Sequence, residues 1–128
     1  MKRTIFLLVL LLTSVNLIAQ ARIEFKQSVY NYDTIEQGDD GWCFFTFRNT
    51  GNEPLMISSA SSSCGCTMPD FSRKPILPGK SGTIRVRYNT SLKGDFKKTI
   101  VVKSNATNQP VTILQIKGHV KKRNLKEN

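Results

Sequence analysis

Trp42-Cys43-Phe44-Phe45-Thr46-Phe47-Arg48, followed by Asn49-Thr50-Gly51-Asn52-Glu53-Pro54, is the stretch that decides the fold. An extended chain turns successive side chains to opposite faces, so Cys43, Phe45 and Phe47 share one side of this run. Aromatic residues suit a pleated, half-buried surface, and the Asn/Gly/Pro segment that follows breaks the run and turns the chain. The segment therefore reads as a strand and a turn.

The same grammar recurs in both directions. Downstream, residues 83–89 alternate Ile84, Val86 and Tyr88 with Arg85 and Arg87, which means one dry face and one wet. Residues 97–104 and 111–120 read as the last two strands, with Ile100 and Val102 inward in one and Leu114 and Ile116 inward in the other. Upstream, residues 23–25 form a short opening strand and residues 29–35 a second, rich in Tyr and β-branched residues. Turn signals fall at 37–41 and 89–95. Residues 55–57 begin a return strand, whereas 58–82, dominated by Ser, Pro and Gly, reads as a long connection. No amphipathic helical period persists. The expectation is an all-β, immunoglobulin-like antiparallel sandwich of about seven to eight strands. The Cys–Trp–Cys spacing of antibody domains is absent, since Trp42 adjoins Cys43 in one strand.

Residues 1–21 read as a secretory signal peptide. Lys2 and Arg3 precede an eight-residue apolar run, IFLLVLLL, and Ala19-Gln20-Ala21 supplies the small residues of a cleavage site, after Ala19 or after Ala21. The run is too short for a stable membrane span, and no later segment in the mature chain is long enough for one. The expected location is periplasmic or secreted. Residues 22–120 then form the sandwich and 121–128 (KKRNLKEN) a basic tail. The whole chain has 19 basic and 9 acidic residues, and without Lys2 and Arg3 the mature part keeps a net charge of +8. That excess favours acidic partners, or simply solubility.

Chemistry rests on three cysteines, Cys43, Cys64 and Cys66. An exported chain meets an oxidising compartment, so a structural disulfide is expected among them. If the 49–54 turn lays residues 55 onward back along 42–48, Cys43 comes within a residue or two of Cys64, and a Cys43–Cys64 bond is feasible. Cys64–Cys66 is the other nearby pairing. A soft-metal site for Cu(I) would use Cys64, Cys66 and Met68, which share one side of an extended segment. That set falls short of the four ligands of structural zinc. A thiol-redox role would lack the two-residue spacing and helix start of the usual motif. Gly79-Lys80-Ser81 suggests a phosphate loop, but Lys74 stands where the first glycine belongs and a strand follows instead of a helix.

Arg85, Arg87, Lys103 and Lys117 fall at outward positions and form a basic binding face if their strands are neighbours. Aromatic side chains are not interleaved with them along those strands, which argues against a single-stranded nucleic-acid binder. Trp42, Phe44, Tyr30 and Tyr32, if outward, would form an apolar patch for a protein or glycan. With a single His, no catalytic constellation emerges and no cofactor is expected. His119 reads as a strand or tail residue. The few carboxylates, such as Asp33, Asp39, Asp40 and Asp70, fall mostly in turns, where Asp is favoured for turn geometry.

Taken in order, FTFRNTGNEPL (45–55), SSCGCT (62–67), PGKSGTI (78–84), FKKTI (96–100) and Ser104-Asn105 resemble the bacterial domain-of-unknown-function family 1573, an exported Ig-like group with a Cys-Gly-Cys motif. The family is similar to the Ig-like modules of the Hydin and major-sperm-protein types. The resemblance implies the fold, export and a scaffolding or binding role. It implies no established activity. The expected function is a non-catalytic module that binds a protein or a cell-envelope polymer through a strand edge, the basic face or the 58–82 segment. The competing expectation is a Cu(I)-binding or thiol-redox protein built on Cys64 and Cys66.

Overall fold

A computed structural model describes residues 18–124. Most of the expected signal segment (1–17) and the end of the expected tail (125–128) lie outside the described residues. Eight strands follow in order: β1 (Ile23–Phe25), β2 (Val29–Glu36), β3 (Trp42–Asn49), β4 (Ile57–Ser62), β5 (Thr67–Phe71), β6 (Ser81–Tyr88), β7 (Gly94–Ser104) and β8 (Val111–Lys121). They form two four-stranded sheets, one ordered β1-β3-β6-β5 and the other β2-β8-β7-β4. The all-β sandwich is as the alternation requires. Every pairing is antiparallel except β2 with β8, which run parallel because the chain leaves the first sheet after Phe25 and joins the far edge of the second.

The inward-facing residues of both sheets make one core. Phe45, Phe47, Ile84 and Val86 from the first sheet meet Ile100, Val102, Leu114 and Ile116 from the second, all buried. Aromatic rings close one end, where Tyr88 stacks on Phe96 with centroids 3.8 Å apart and Tyr32 meets Phe96 edge-on at 5.4 Å. Such pairs add to the area they bury. Gly41 has to be glycine, because a Cβ there would fall on the Tyr88 carbonyl, and the Tyr88 N–H donates to the Gly41 carbonyl at 2.9 Å. The Pro78-Gly79 turn is also built as its sequence suggests. Lys80 N–H donates to the Leu77 carbonyl at 3.0 Å and Gly79 sits at φ +80, the type II arrangement.

Two expectations need correction. The 58–82 segment is not a plain connection, since it carries most of β4 and all of β5. In addition, β4 does not fold back on β3. It crosses to the other sheet and pairs with β7, while Cys43 lies opposite Val86 of β6. The 49–54 turn is an inter-sheet crossing, so the register argument for a Cys43–Cys64 bond fails. At the chain end Lys121 closes β8, and Arg123 pairs with Asp39 and Glu36.

Asn49 organises the crossing. It is fully buried, and its Nδ2 donates to the carbonyls of Glu53 (2.7 Å) and Ile76 (2.9 Å). Its Oδ1 accepts from Gly51 N–H (2.9 Å) and Arg22 N–H (3.4 Å). One amide thus satisfies four backbone groups at the point where the chain changes sheet.

Candidate functional site

The outward side chains of the first sheet make its most distinctive surface. In register, Met68 of β5, Arg87 of β6 and Trp42 of β3 form one row, and Asp70, Arg85 and Phe44 form the next. Trp42, Phe44 and Met68 are 37%, 53% and 63% exposed, which for three large apolar side chains on one face calls for a reason. The guanidinium carbons of Arg85 and Arg87 each lie 5.7 Å from the Trp42 ring centroid, within cation–π range. Arg85 also pairs with Asp70, whereas Arg87 has no acidic partner among the described residues. The face therefore combines an apolar floor with one uncompensated cation.

This geometry revises two expectations. The four basic candidates do not form a single face. Arg85 and Arg87 stand on the first sheet, Lys103 and Lys117 on the second. Aromatic and basic residues are interleaved after all, across strands rather than along them, because the β3–β6 register sets Trp42 beside Arg87 and Phe44 beside Arg85. Only the strand pairing, which the sequence does not print, brings them together. The apolar patch splits as well. Trp42 and Phe44 face out, while Tyr30 and Tyr32 pack against the core from β2. The second sheet has a smaller outward patch of Val111 and Ile113, with Lys103 opposite Val111 and Lys117 farther along β8.

Strand edges are poor sites for a partner here. β1 is three residues long. β2 has a register shift between Asn31 and Thr34, with Asp33 at φ 56, and β4 has another between Ile57 and Ser59. In β5, Asn89 N–H donates to the Cys66 carbonyl at 2.8 Å, which makes Thr67–Tyr88 a non-hydrogen-bonded pair. Pro69, two residues on, therefore turns its missing N–H to the open edge. Bulges, short strands and edge prolines are devices that stop a further strand from adding.

Cys64 and Cys66 are joined in a disulfide at the turn into β5, with Thr67 N–H donating to the Cys64 carbonyl at 3.2 Å. The bond leaves no thiolate for a soft metal in this state, and Met68 projects onto the outer face opposite Arg87. Among the described residues no three His, Cys, Asp or Glu side chains cluster as a metal site. Cys43 is a buried free thiol. Burial pushes its pKa up, against a smaller downward pull from the neighbouring Tyr32 hydroxyl. Burial also raises Tyr32, whose hydroxyl donates to the Gly41 carbonyl at 2.6 Å. His119 is half-exposed and pairs with Asp95 at 2.7 Å, at the opposite side of the sandwich from the aromatic–arginine face. Among the described residues no helix is long and apolar enough to cross a membrane.

A family model described as Protein of unknown function (DUF1573) matches residues 23–120. No curated protein matches the sequence. A solved protein of unknown function from Porphyromonas gingivalis W83 superposes with a TM-score of 0.72 at 16% identity, over 83% of this chain and 50% of that one. This chain thus spans half the length of that relative. PapD-like domain 7 of human CEP192 superposes with a TM-score of 0.68 at 10% identity, over 88% of this chain and 94% of that one. The periplasmic chaperone SfaE gives 0.53 at 11% identity, over 83% and 59%. At these identities the likeness is one of fold.

Proposed function

This chain belongs to the DUF1573 family, and from that premise we propose that it is an exported, non-catalytic module that binds an acidic protein surface through Trp42, Phe44, Met68, Arg85 and Arg87. The observation that carries the reading is the outer face of the first sheet, where three large apolar side chains stay exposed around two arginines. Trp and Arg are the residues that most often dominate protein interfaces, while Lys is depleted there. That preference favours this face over the Val111/Ile113 face with its lysines. The blunted edges leave the face as the available surface. A protein suits the face better than a glycan, because a sugar stacks on an open ring and guanidinium groups already lie over Trp42. Arg87, without an acidic neighbour, supplies the charge preference.

The test is retention of a partner from a cell-envelope extract by immobilised wild-type protein, by Trp42→Ala/Arg87→Glu, and by Lys103→Glu/Lys117→Glu on the other sheet. A central Trp contributes about 2 kcal/mol or more to a protein contact, so its loss weakens binding roughly 30-fold or more. The reading expects a partner that is lost with the first pair of substitutions, kept with the second, and released by salt. Retention of polysaccharide in place of protein, or equal loss with both pairs, would contradict it.

A further inference from the structure

We propose that the leader is removed between Ala19 and Gln20, so that the mature chain begins at Gln20. The proposal takes export from the sequence and does not depend on which face binds a partner. The sequence offers two bonds with alanine at the −1 position: the cut after Ala21 has Ala19 at −3, and the cut after Ala19 has the aliphatic Leu17 there. The fold distinguishes them.

Ala21 is only 3% exposed and belongs to the core. Its carbonyl accepts from Thr107 N–H at 2.9 Å and from the Thr107 hydroxyl at 3.3 Å. Gln20 is sewn in from three sides. Its N–H donates to Asn52 Oδ1 at 2.7 Å, and its carbonyl accepts from the N–H groups of Asn52 (3.0 Å) and Glu53 (3.3 Å). Its Oε1 accepts from the Thr107 hydroxyl at 2.8 Å. Gly51 makes room for this docking, since a Cβ there would collide with the Gln20 carbonyl. The two residues thus tie the 49–54 crossing to the loop between β7 and β8. Ile18, by contrast, is 73% exposed and is held only through its carbonyl, by Asn52 Nδ2 at 3.3 Å. Anchoring begins in earnest at Gln20.

Hydrolysis after Ala21 would strip the Ala21 methyl from the core, a destabilising loss, and would remove the acceptors of Asn52 N–H and Thr107 N–H, which tie the N-terminal segment to two loops. It would also put the new α-ammonium on Arg22, whose nitrogen sits in part-buried surroundings 3.4 Å from Asn49 Oδ1. A charge there costs desolvation. Hydrolysis after Ala19 keeps every one of these contacts. The new ammonium then falls on the Gln20 nitrogen, in an exposed position and already aimed at Asn52 Oδ1. A charged donor strengthens that bond.

The experiment is expression of the full chain with its own leader in a bacterium that exports it, followed by intact mass, N-terminal peptide sequencing and amide hydrogen exchange on the purified product. An N-terminal glutamine can cyclise by attack of its amine on the side-chain amide, with release of ammonia, so either the mass of residues 20–128 or that mass less one ammonia marks a Gln20 start. The expected result is such a start, with Asn52 and Thr107 amides slowed roughly 100-fold or more relative to an unstructured peptide. A start at Arg22, an unprocessed chain, or a Gln20 start with both amides freely exchanging would overturn the proposal.

Discussion

Asn49→Asp exchanges one side-chain amide nitrogen for oxygen and should weaken the fold measurably. Asparagine at this site donates two hydrogen bonds, to Glu53 O and Ile76 O, and accepts two, from Gly51 and Arg22. Aspartate has the same shape and keeps the acceptor side, but ionised it donates nothing. Both carbonyls then face a carboxylate oxygen beside a fully buried side chain; Glu53 O loses its donor, while Ile76 O keeps the Leu55 N–H at 2.8 Å. One orphaned group costs about 1–3 kcal/mol, and burying the new charge adds to that, so the substitution should remove about 1–3 kcal/mol or more. Domains of this size have about 5–15 kcal/mol in all. The loss should depend on pH in a definite direction. Burial disfavours the charged form and raises the introduced carboxyl's pKa above its unfolded value. The protonated acid regains one donor, so the deficit should be smallest near or below the unfolded carboxyl pKa and grow as pH rises through the folded one. Urea denaturation of wild type and variant at pH 4.5 and pH 7 measures this, with the m-value as a control for two-state behaviour. A variant within about 0.5 kcal/mol of wild type at pH 7 would refute the reasoning, since surface-like tolerance is incompatible with a four-bond buried hub. A deficit that does not shrink at the lower pH would refute its electrostatic half.

Three further outcomes follow from the same geometry. Gly41→Ala should cost about 2 kcal/mol or more, because the new Cβ meets the Tyr88 backbone and neither strand can yield without opening the β3–β6 pairing; an unchanged urea midpoint would contradict the close approach. Stability should hold to about pH 8 and then fall, because burial raises the pKa values of Cys43, Tyr32 and Tyr88, so the unfolded chain releases protons that the folded chain retains. Cys43→Ala should flatten the first part of that decline, and a level profile from pH 8 to about 10.5 would count against it. Cys64→Ser and Cys66→Ser should each cost no more than about 2 kcal/mol, because a bridge across one glycine closes a very short loop; Cu(I) titration of the reduced protein with and without these substitutions tests the soft-metal alternative at the same time.

Strand content was legible where both faces of a strand carry a clear message. Residues 42–48, 83–89, 97–104 and 111–120 alternate so regularly that each strand's inward residues follow directly from the two-residue period. β5 is hidden in the sequence because Thr67, Pro69 and the flanking serines carry turn chemistry, and its proline is admissible only through an edge position that pairing alone reveals. The sheet assignment of β4 was illegible for a different reason. A turn such as 49–54 serves a hairpin and an inter-sheet crossing alike, and what separates them is the buried Asn49 hub, whose partners Ile76 and Arg22 lie far along the chain. That ambiguity misdirected the Cys43 pairing. The aromatic–arginine face was half visible. Outward positions for Arg85, Arg87, Trp42 and Phe44 could each be read from alternation, yet their juxtaposition depends on β3 pairing with β6, separated in sequence by two whole strands.

Placing a photoreactive amino acid at position 44, and in a separate chain at position 113, tests the binding account most directly. Phe44 and Ile113 are equally exposed, 53% each, and stand on opposite sheets. Irradiation of cells producing each chain should yield a defined protein adduct from position 44, absent when Arg87 is changed to Glu, and none from position 113. Adducts from position 113 alone, or the same adduct from both positions, would contradict the account.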